Sequence, residues 1–185
     1  RPPVAAVRPV ERQRHGVRWT DPYAWLRDPH YPTVEDPAIL AYLEAENAYL
    51  DAVMAPEREL ITTLHAELKG RLQDDDSSVP VLDGAWLYHW AFLPGAQYRT
   101  WYRTPITGGE PQVILDETAL AEGSSYFNLG GLAVSPDGAL LAHATDRDGS
   151  ERYVLELVEL ATGRVSGEHV ANISGGIVWA TDSRT

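Results

Sequence analysis

The sequence predicts a helical N-terminal segment followed by an all-β region that forms the first blades of a β-propeller. Three observations carry this. Two apolar stripes of helical spacing occupy residues 37–70. After Val79 the helical period disappears, and short β-prone runs alternate with turn clusters. The turn signals Asp83-Gly84, Asp137-Gly138 and Asp182-Ser183 recur, the second and third 45 residues apart, which is a blade-length spacing. The first interval is 54 residues, which an insertion explains. The pattern reads as the beginning of a repeat array that continues beyond Thr185.

Residues 1–35 hold Pro2, Pro3, Pro9, Gly16, Pro22, Pro29 and Pro32, interleaved with Trp19, Tyr23, Trp25 and Tyr31. So many backbone punctuators predict an irregular arm, and the aromatics predict that it lies on a surface. Asp36-Pro37 is a helix start, with Asp36 as N-cap and Pro37 at the first helical position. Ile39, Leu43, Leu50 and Val53 then share one stripe with Tyr42 and Tyr49, while Glu44, Glu46 and Asp51 lie off it. Pro56 ends this helix. A second follows, with Glu57 and Glu59 in its first turn, Leu60, Ile61, Leu64 and Leu68 on its apolar face, and Gly70 near its end. Two helices with one stripe each do not close a core between them, so a further domain is expected to cover them.

Asp74-Asp75-Asp76-Ser77-Ser78 has no periodicity and reads as a solvated linker. Consecutive carboxylates also lack the alternating ligands of a hard-cation site. The β-prone runs are Ala85–Phe92, Gln97–Arg103, Gln112–Asp116, Leu129–Val134, Leu140–Thr145, Tyr153–Leu160 and Ile177–Ala180. Pro94-Gly95, Thr107-Gly108-Gly109, Asp148-Gly149 and Thr162-Gly163 separate them. The expected division is residues 1–75 as arm and helices and residues 76–185 as propeller. Within the latter, a first blade covers 79–120, a second 129–172, and a third begins near 176.

Composition narrows the function. Hydrophobic residues are 44% and charged residues 23%, a soluble globular balance and not a disordered one. No stretch of about 18 apolar residues is present to span a membrane. Arg1-Pro2-Pro3-Val4 has neither an apolar signal core nor an initiator Met, so a trimmed start is expected. The lack of cysteine excludes disulfides, zinc–thiolate sites, iron–sulfur clusters and a cysteine nucleophile in this segment, and it fits a reducing, cytoplasmic location. The net charge of −12 argues against nucleic acid and anionic membranes and is compatible with basic peptides.

Motifs for chemistry are sparse. No G-x-S-x-G nucleophile elbow occurs: Ser174 lacks the glycine two residues before it, and Ser125 has Phe127 in place of the glycine two residues after it. His15, His30, His65, His89, His143 and His169 form no H-E-x-x-H pair and read as surface or packing residues. Asp146-x-Asp148-Gly149 resembles the start of a calcium loop, but its glycine comes too early and Leu157 stands where the closing Glu belongs; a hairpin turn accounts for it. No phosphate-cradling loop is present, and the basic residues are scattered. No catalytic, metal-binding or cofactor-binding residue is predicted in this chain.

The sharpest signal is Asp21-Pro22-Tyr23-Ala24-Trp25-Leu26-Arg27-Asp28. It resembles the N-terminal signature of the prolyl oligopeptidase family of serine peptidases. Further matches follow in order: Glu46-Asn47-x-Tyr49, Gly95-x-x-Tyr98, Leu115-Asp116-Glu117, Tyr126-Phe127-x-Leu129-Gly130, Val134-Ser135-Pro136-Asp137-Gly138 and Val178-Trp179-Ala180-x-Asp182-Ser183. The fourth and the last resemble the oligopeptidase B (protease II) branch. The resemblance implies an N-terminal helical segment that packs with a C-terminal α/β-hydrolase domain, and a seven-bladed propeller inserted between them that gates access for short peptides. It also implies cleavage after Arg or Lys, no cofactor, and a Ser, Asp and His triad outside these residues. Post-proline cleavage and a non-catalytic propeller binding module are the alternatives.

Overall fold

The computed structural model describes residues 1–183. The chain divides into two units, Arg1–Leu72 and Gln73–Thr185.

In the first unit the expected irregular arm is replaced by a hairpin. Val10–Arg14 (β1) and Val17–Asp21 (β2) pair antiparallel, Val10 opposite Asp21 and Arg14 opposite Val17. His15 and Gly16 both have positive φ, 49° and 79°, the backbone of a two-residue primed turn that matches strand twist. Pro9 and Pro22 flank the hairpin and do not interrupt it, and His-Gly stands where Asn-Gly usually signals such a turn. A short 3-10 turn, Ala24–Leu26, follows.

Pro37–Met54 (α1) begins as the sequence predicts, with Asp36 accepting a hydrogen bond from the Ala38 N–H at 2.7 Å. A 3-10 turn, Ala55–Glu57, takes up Pro56 near its start, where a missing N–H costs no helical bond. Arg58–Lys69 (α2) continues to Gly70, whose N–H closes onto the Ala66 carbonyl at 2.9 Å. Ile39 alone among the stripe residues is buried. Leu43, Leu50, Val53, Leu60, Ile61, Leu64 and Leu68 are 44–63% exposed.

The second unit holds two four-stranded antiparallel meanders. The first runs Val81–Asp83 (β3), Trp86–Phe92 (β4), Arg99–Pro105 (β5) and Gln112–Asp116 (β6). The second runs Asn128–Val134 (β7), Leu140–Asp146 (β8), Tyr153–Glu159 (β9) and Arg164–Ile173 (β10). A shared core joins the sheets: Tyr88, Trp101, Ile114 and Leu115 from one meet Leu132, Val134, Leu141 and Val158 from the other, with a bulge in β6 turning both Ile114 and Leu115 inward. The sheets stack as adjacent blades do. Strand β8 is the innermost: Leu141 to Asp146 are all buried.

Three expectations are corrected here. Part of the linker is sheet: the Ser78 N–H donates to the Trp90 carbonyl at 3.0 Å, the Phe92 N–H donates to the Asp76 carbonyl at 2.8 Å, and Ser77 bridges Ala91. An edge strand can pair its backbone while its polar side chains stay in water, so the acidic run concealed it. Glu117–Ala121 forms a helix (α3) that the β-prone pattern did not predict; Asp116 caps it, accepting from the Thr118 and Ala119 N–H groups at 2.9 and 3.2 Å. With the loop after it, α3 supplies the insertion that lengthens the first turn interval. Ile177–Ala180 is not a strand, because no described strand pairs with it in a ladder.

Candidate functional site

The signature at residues 21–28 builds the entry to α1. Asp28 is 3% exposed, and its carboxylate accepts three backbone N–H groups: His30 at 2.7 Å, Glu35 at 2.8 Å and Asp36 at 2.9 Å. These bonds hold the carboxyl well below its ordinary range, at a pKa of about 2. Asp28 thereby clamps the loop that delivers the N-cap Asp36. Trp25 is locked beside it. Its Nε1 donates to the Ala6 carbonyl at 2.7 Å, the Arg8 guanidinium lies 4.2 Å over its ring, and Tyr42 of α1 meets its edge at 6.3 Å. Tyr42 donates in turn to Glu46 at 2.5 Å, so the Glu46 of the second motif supports the same corner.

The antiparallel meanders place all three turn signals at one end of the second unit. Ser135-Pro136-Asp137-Gly138 is a tight turn: the Gly138 N–H donates to the Ser135 carbonyl at 2.8 Å, and Gly138 has a φ of 72°. The Asp137 carboxylate accepts from the Ser135 hydroxyl at 2.6 Å and from the Ala139 N–H at 3.0 Å, which lowers the Asp137 pKa. Neighbouring turns are tied together. Arg103 of the first blade donates to the Gly138 carbonyl at 2.8 Å, and the Asp137 N–H donates to Ser183 at 3.1 Å. Trp179 donates to the Ala133 carbonyl at 3.0 Å, so residues 174–180 run beside β7 in the same direction. Gly130, Gly131 and Gly175 make that approach possible. A Cβ on Gly131 would overlap the Gly175 carbonyl, and one on Gly130 would enter the Tyr153 ring.

The opposite end of the same seam carries a polar cleft of about 200 Å³. Three separate sequence motifs converge there, through Tyr98, Glu117 and Leu129. The Trp101 Nε1 donates to Glu117 at 2.7 Å, and Asn128 donates to the Tyr153 hydroxyl at 2.9 Å. Sequence reasoning assigned no role to Glu117, Asn128 or Arg103; only the Leu115-Asp116-Glu117 motif drew notice to one of them.

Of the six histidines, His143 is the buried one, at 1% exposure in the middle of β8. Asp146 is a turn anchor, as the hairpin reading of that segment expects: it accepts from Asp148, Gly149 and Glu151 N–H groups at 3.0, 3.0 and 2.9 Å. Among the described residues no group of three metal-ligating side chains comes together, and no helix is long and apolar enough to cross a membrane.

Residues 2–185 match the family described as prolyl oligopeptidase, N-terminal beta-propeller domain. The whole chain is 37% identical to dipeptidyl aminopeptidase BI of Pseudoxanthomonas mexicana and covers 27% of that protein. Oligopeptidase B from Leishmania major superposes with a TM-score of 0.82 at 26% identity, over 97% of this chain and 27% of that one. Oligopeptidase B from Trypanosoma brucei, in a closed form with covalently bound antipain, gives 0.78 at 30% identity over the same shares. The chain thus spans about a quarter of the length of these relatives. The match runs through both units and takes in the clamped signature as well as the paired blades, so the chain belongs to the prolyl oligopeptidase family of peptidases.

Proposed function

We propose that this chain is the N-terminal part of a cytoplasmic serine oligopeptidase that hydrolyses short peptides after Arg or Lys. The observation that carries the reading is the uncovered apolar stripe along α1 and α2, in a chain of a peptidase family. Seven large aliphatic side chains exposed on two consecutive helices call for a covering domain. A C-terminal α/β-hydrolase domain of the same protein is the cover proposed. That domain supplies the serine nucleophile, the histidine that acts as base and then acid, the aspartate that orients it, and the oxyanion hole. The propeller begun here admits short peptides to that site and excludes folded proteins and bulk water. Cleavage after basic residues is supported by the likeness to oligopeptidase B at 26–30% identity.

The second reading is release of dipeptides from a free N-terminus, favoured by the 37% identity to a dipeptidyl aminopeptidase. One experiment tests both. The full-length protein is labelled with a fluorophosphonate and assayed on peptides with Arg, Lys or Pro at the scissile position, each free or acetylated at its N-terminus. Labelling with cleavage of acetylated Arg and Lys peptides is expected. Cleavage restricted to free N-termini selects the second reading, and cleavage after Pro moves the assignment to the post-proline branch. Absence of both labelling and cleavage leaves a propeller that only binds.

A further inference from the structure

We propose that the cleft between the first two blades is a subsite for a peptide ammonium group, either an N-terminal amine or a Lys side chain. The proposal rests on the peptidase reading for its ligand and on Glu117 for its chemistry. Glu117 is 6% exposed, and its carboxylate makes no ion pair among the described residues. Its Oε1 accepts from the Trp101 indole at 2.7 Å. A buried carboxylate with one neutral donor is costly, and a cation entering the cleft removes that cost.

The other walls suit an ammonium. Asn128 commits its Nδ2 to the Tyr153 hydroxyl at 2.9 Å, which leaves its amide oxygen as an acceptor. Gln97 lines the cleft with a second amide. An ammonium carries three donors, which Glu117, Gln97 and Asn128 can share. Tyr98 lines the cleft with an aromatic ring, a group that attracts a cation. The Tyr98 ring is fixed by edge packing on Phe127, at 5.2 Å and 83°. Arg99 also lines the cleft, but its guanidinium is stacked 4.7 Å over Trp90 and 5.7 Å over Phe92 and forms no ion pair with Glu117. The volume of about 200 Å³ takes an amine head group, and the chain's net charge of −12 favours cation entry.

The test uses the full-length protein and its Glu117→Gln variant, which keeps the side-chain volume and an acceptor for Trp101. Three peptides share one scissile residue: one with a free N-terminus, one acetylated with a Lys away from the cleaved bond, and one acetylated without Lys. Loss of the charge is expected to raise KM on the order of tenfold for an amine-bearing peptide and to leave the acetylated Lys-free peptide unchanged. Whichever amine-bearing peptide responds identifies the source of the ammonium. An equal change for all three peptides, or no change for any, overturns the proposal. If the variant does not fold, Gln97→Ala must show the same split between peptides. If the wild type cleaves none of the peptides, the peptidase reading fails separately. Calorimetric titration with n-butylammonium then decides the site: heat lost in Glu117→Gln supports it, and equal heat in both proteins overturns it.

Discussion

The Arg103 guanidinium reaches from the first blade to the second and donates to the Gly138 carbonyl at 2.8 Å. The same group lies 4.1 Å over the Trp86 ring and donates through Nε to Gln112 at 3.1 Å. Arg103 is 7% exposed, so a carbonyl, an amide and a π face replace most of its water. It ties the Asp137-Gly138 turn to the sheet beside it.

Replacing Arg103 with Met leaves the Gly138 carbonyl without this donor and removes the ring contact. A loss of about 2 kcal/mol of stability is expected, read as a lower urea midpoint at unchanged slope. Arg103→Lys does not restore it, because an ammonium cannot make the forked contacts. An unchanged midpoint for the Met variant contradicts the pinning role.

The glycines at the start of β7 predict an order of severity. Gly131→Ala drives a methyl into the Gly175 backbone carbonyl, whereas Gly130→Ala meets the Tyr153 ring, which can rotate away. Overpacking against fixed backbone costs about 3 kcal/mol, and the side-chain clash costs less. Thermal unfolding of the two variants checks the order, and equal midpoints would count against it.

Asp28 predicts an acid transition. Its folded pKa of about 2 lies below the ordinary 3.8, because three backbone N–H groups favour the carboxylate. The folded state therefore binds its proton at lower pH than the unfolded state. The stabilisation is complete above about pH 4 and is lost as the pH falls through about 2. Asp28→Asn presents an amide N–H₂ to backbone donors, which lowers stability at neutral pH and flattens that acid limb. Unfolding midpoints measured across this window test both effects.

His143 predicts a second, milder dependence. It sits opposite Leu132 and Glu156, and its Nδ1 has no hydrogen-bond partner among the described residues. Burial lowers its pKa most; Glu156 opposes this and Arg147 adds to it. The unfolded chain takes up this proton near the ordinary value of 6.5 while the folded chain resists, so stability falls as the pH drops below it. His143→Leu should abolish the slope that begins below the ordinary value of 6.5, and a persisting slope would assign it to another group.

The exposed stripes of α1 and α2 predict the behaviour of residues 1–185 made alone. Association or poor solubility is expected, and Leu64→Lys with Leu68→Lys should reduce it. Sedimentation velocity reads the outcome. A monomer that unfolds cooperatively without these changes is the contrary result.

Much of this fold was legible because local rules and tertiary demands coincide. Asp36-Pro37 starts a helix by its own chemistry. The runs at Leu140–Thr145 and Tyr153–Leu160 became β8 and β9, the two inner strands of their sheet, because an inner strand covered on its faces favours β-branched and apolar residues. Asp83-Gly84 and Asp137-Gly138 are turns wherever they occur. His15-Gly16 was missed since its primed turn lacks the usual residues, and the edge pairing at Ser77 was missed since it uses only backbone.

By itself the sequence determined most strands of the two antiparallel meanders, the helices α1 and α2, and the family. It could do so because each follows from the order of residues along a short stretch. Only the tertiary structure decided which residues meet: Arg103 with Gly138, Trp179 with Ala133, Glu117 with Trp101. These partners lie 35, 46 and 16 residues apart, and no local pattern records contacts between residues so far apart in the chain. The cleft around Glu117 belongs to that second class: strand pairing within the first blade brings Tyr98 and Glu117 to one end, and the second blade adds Leu129.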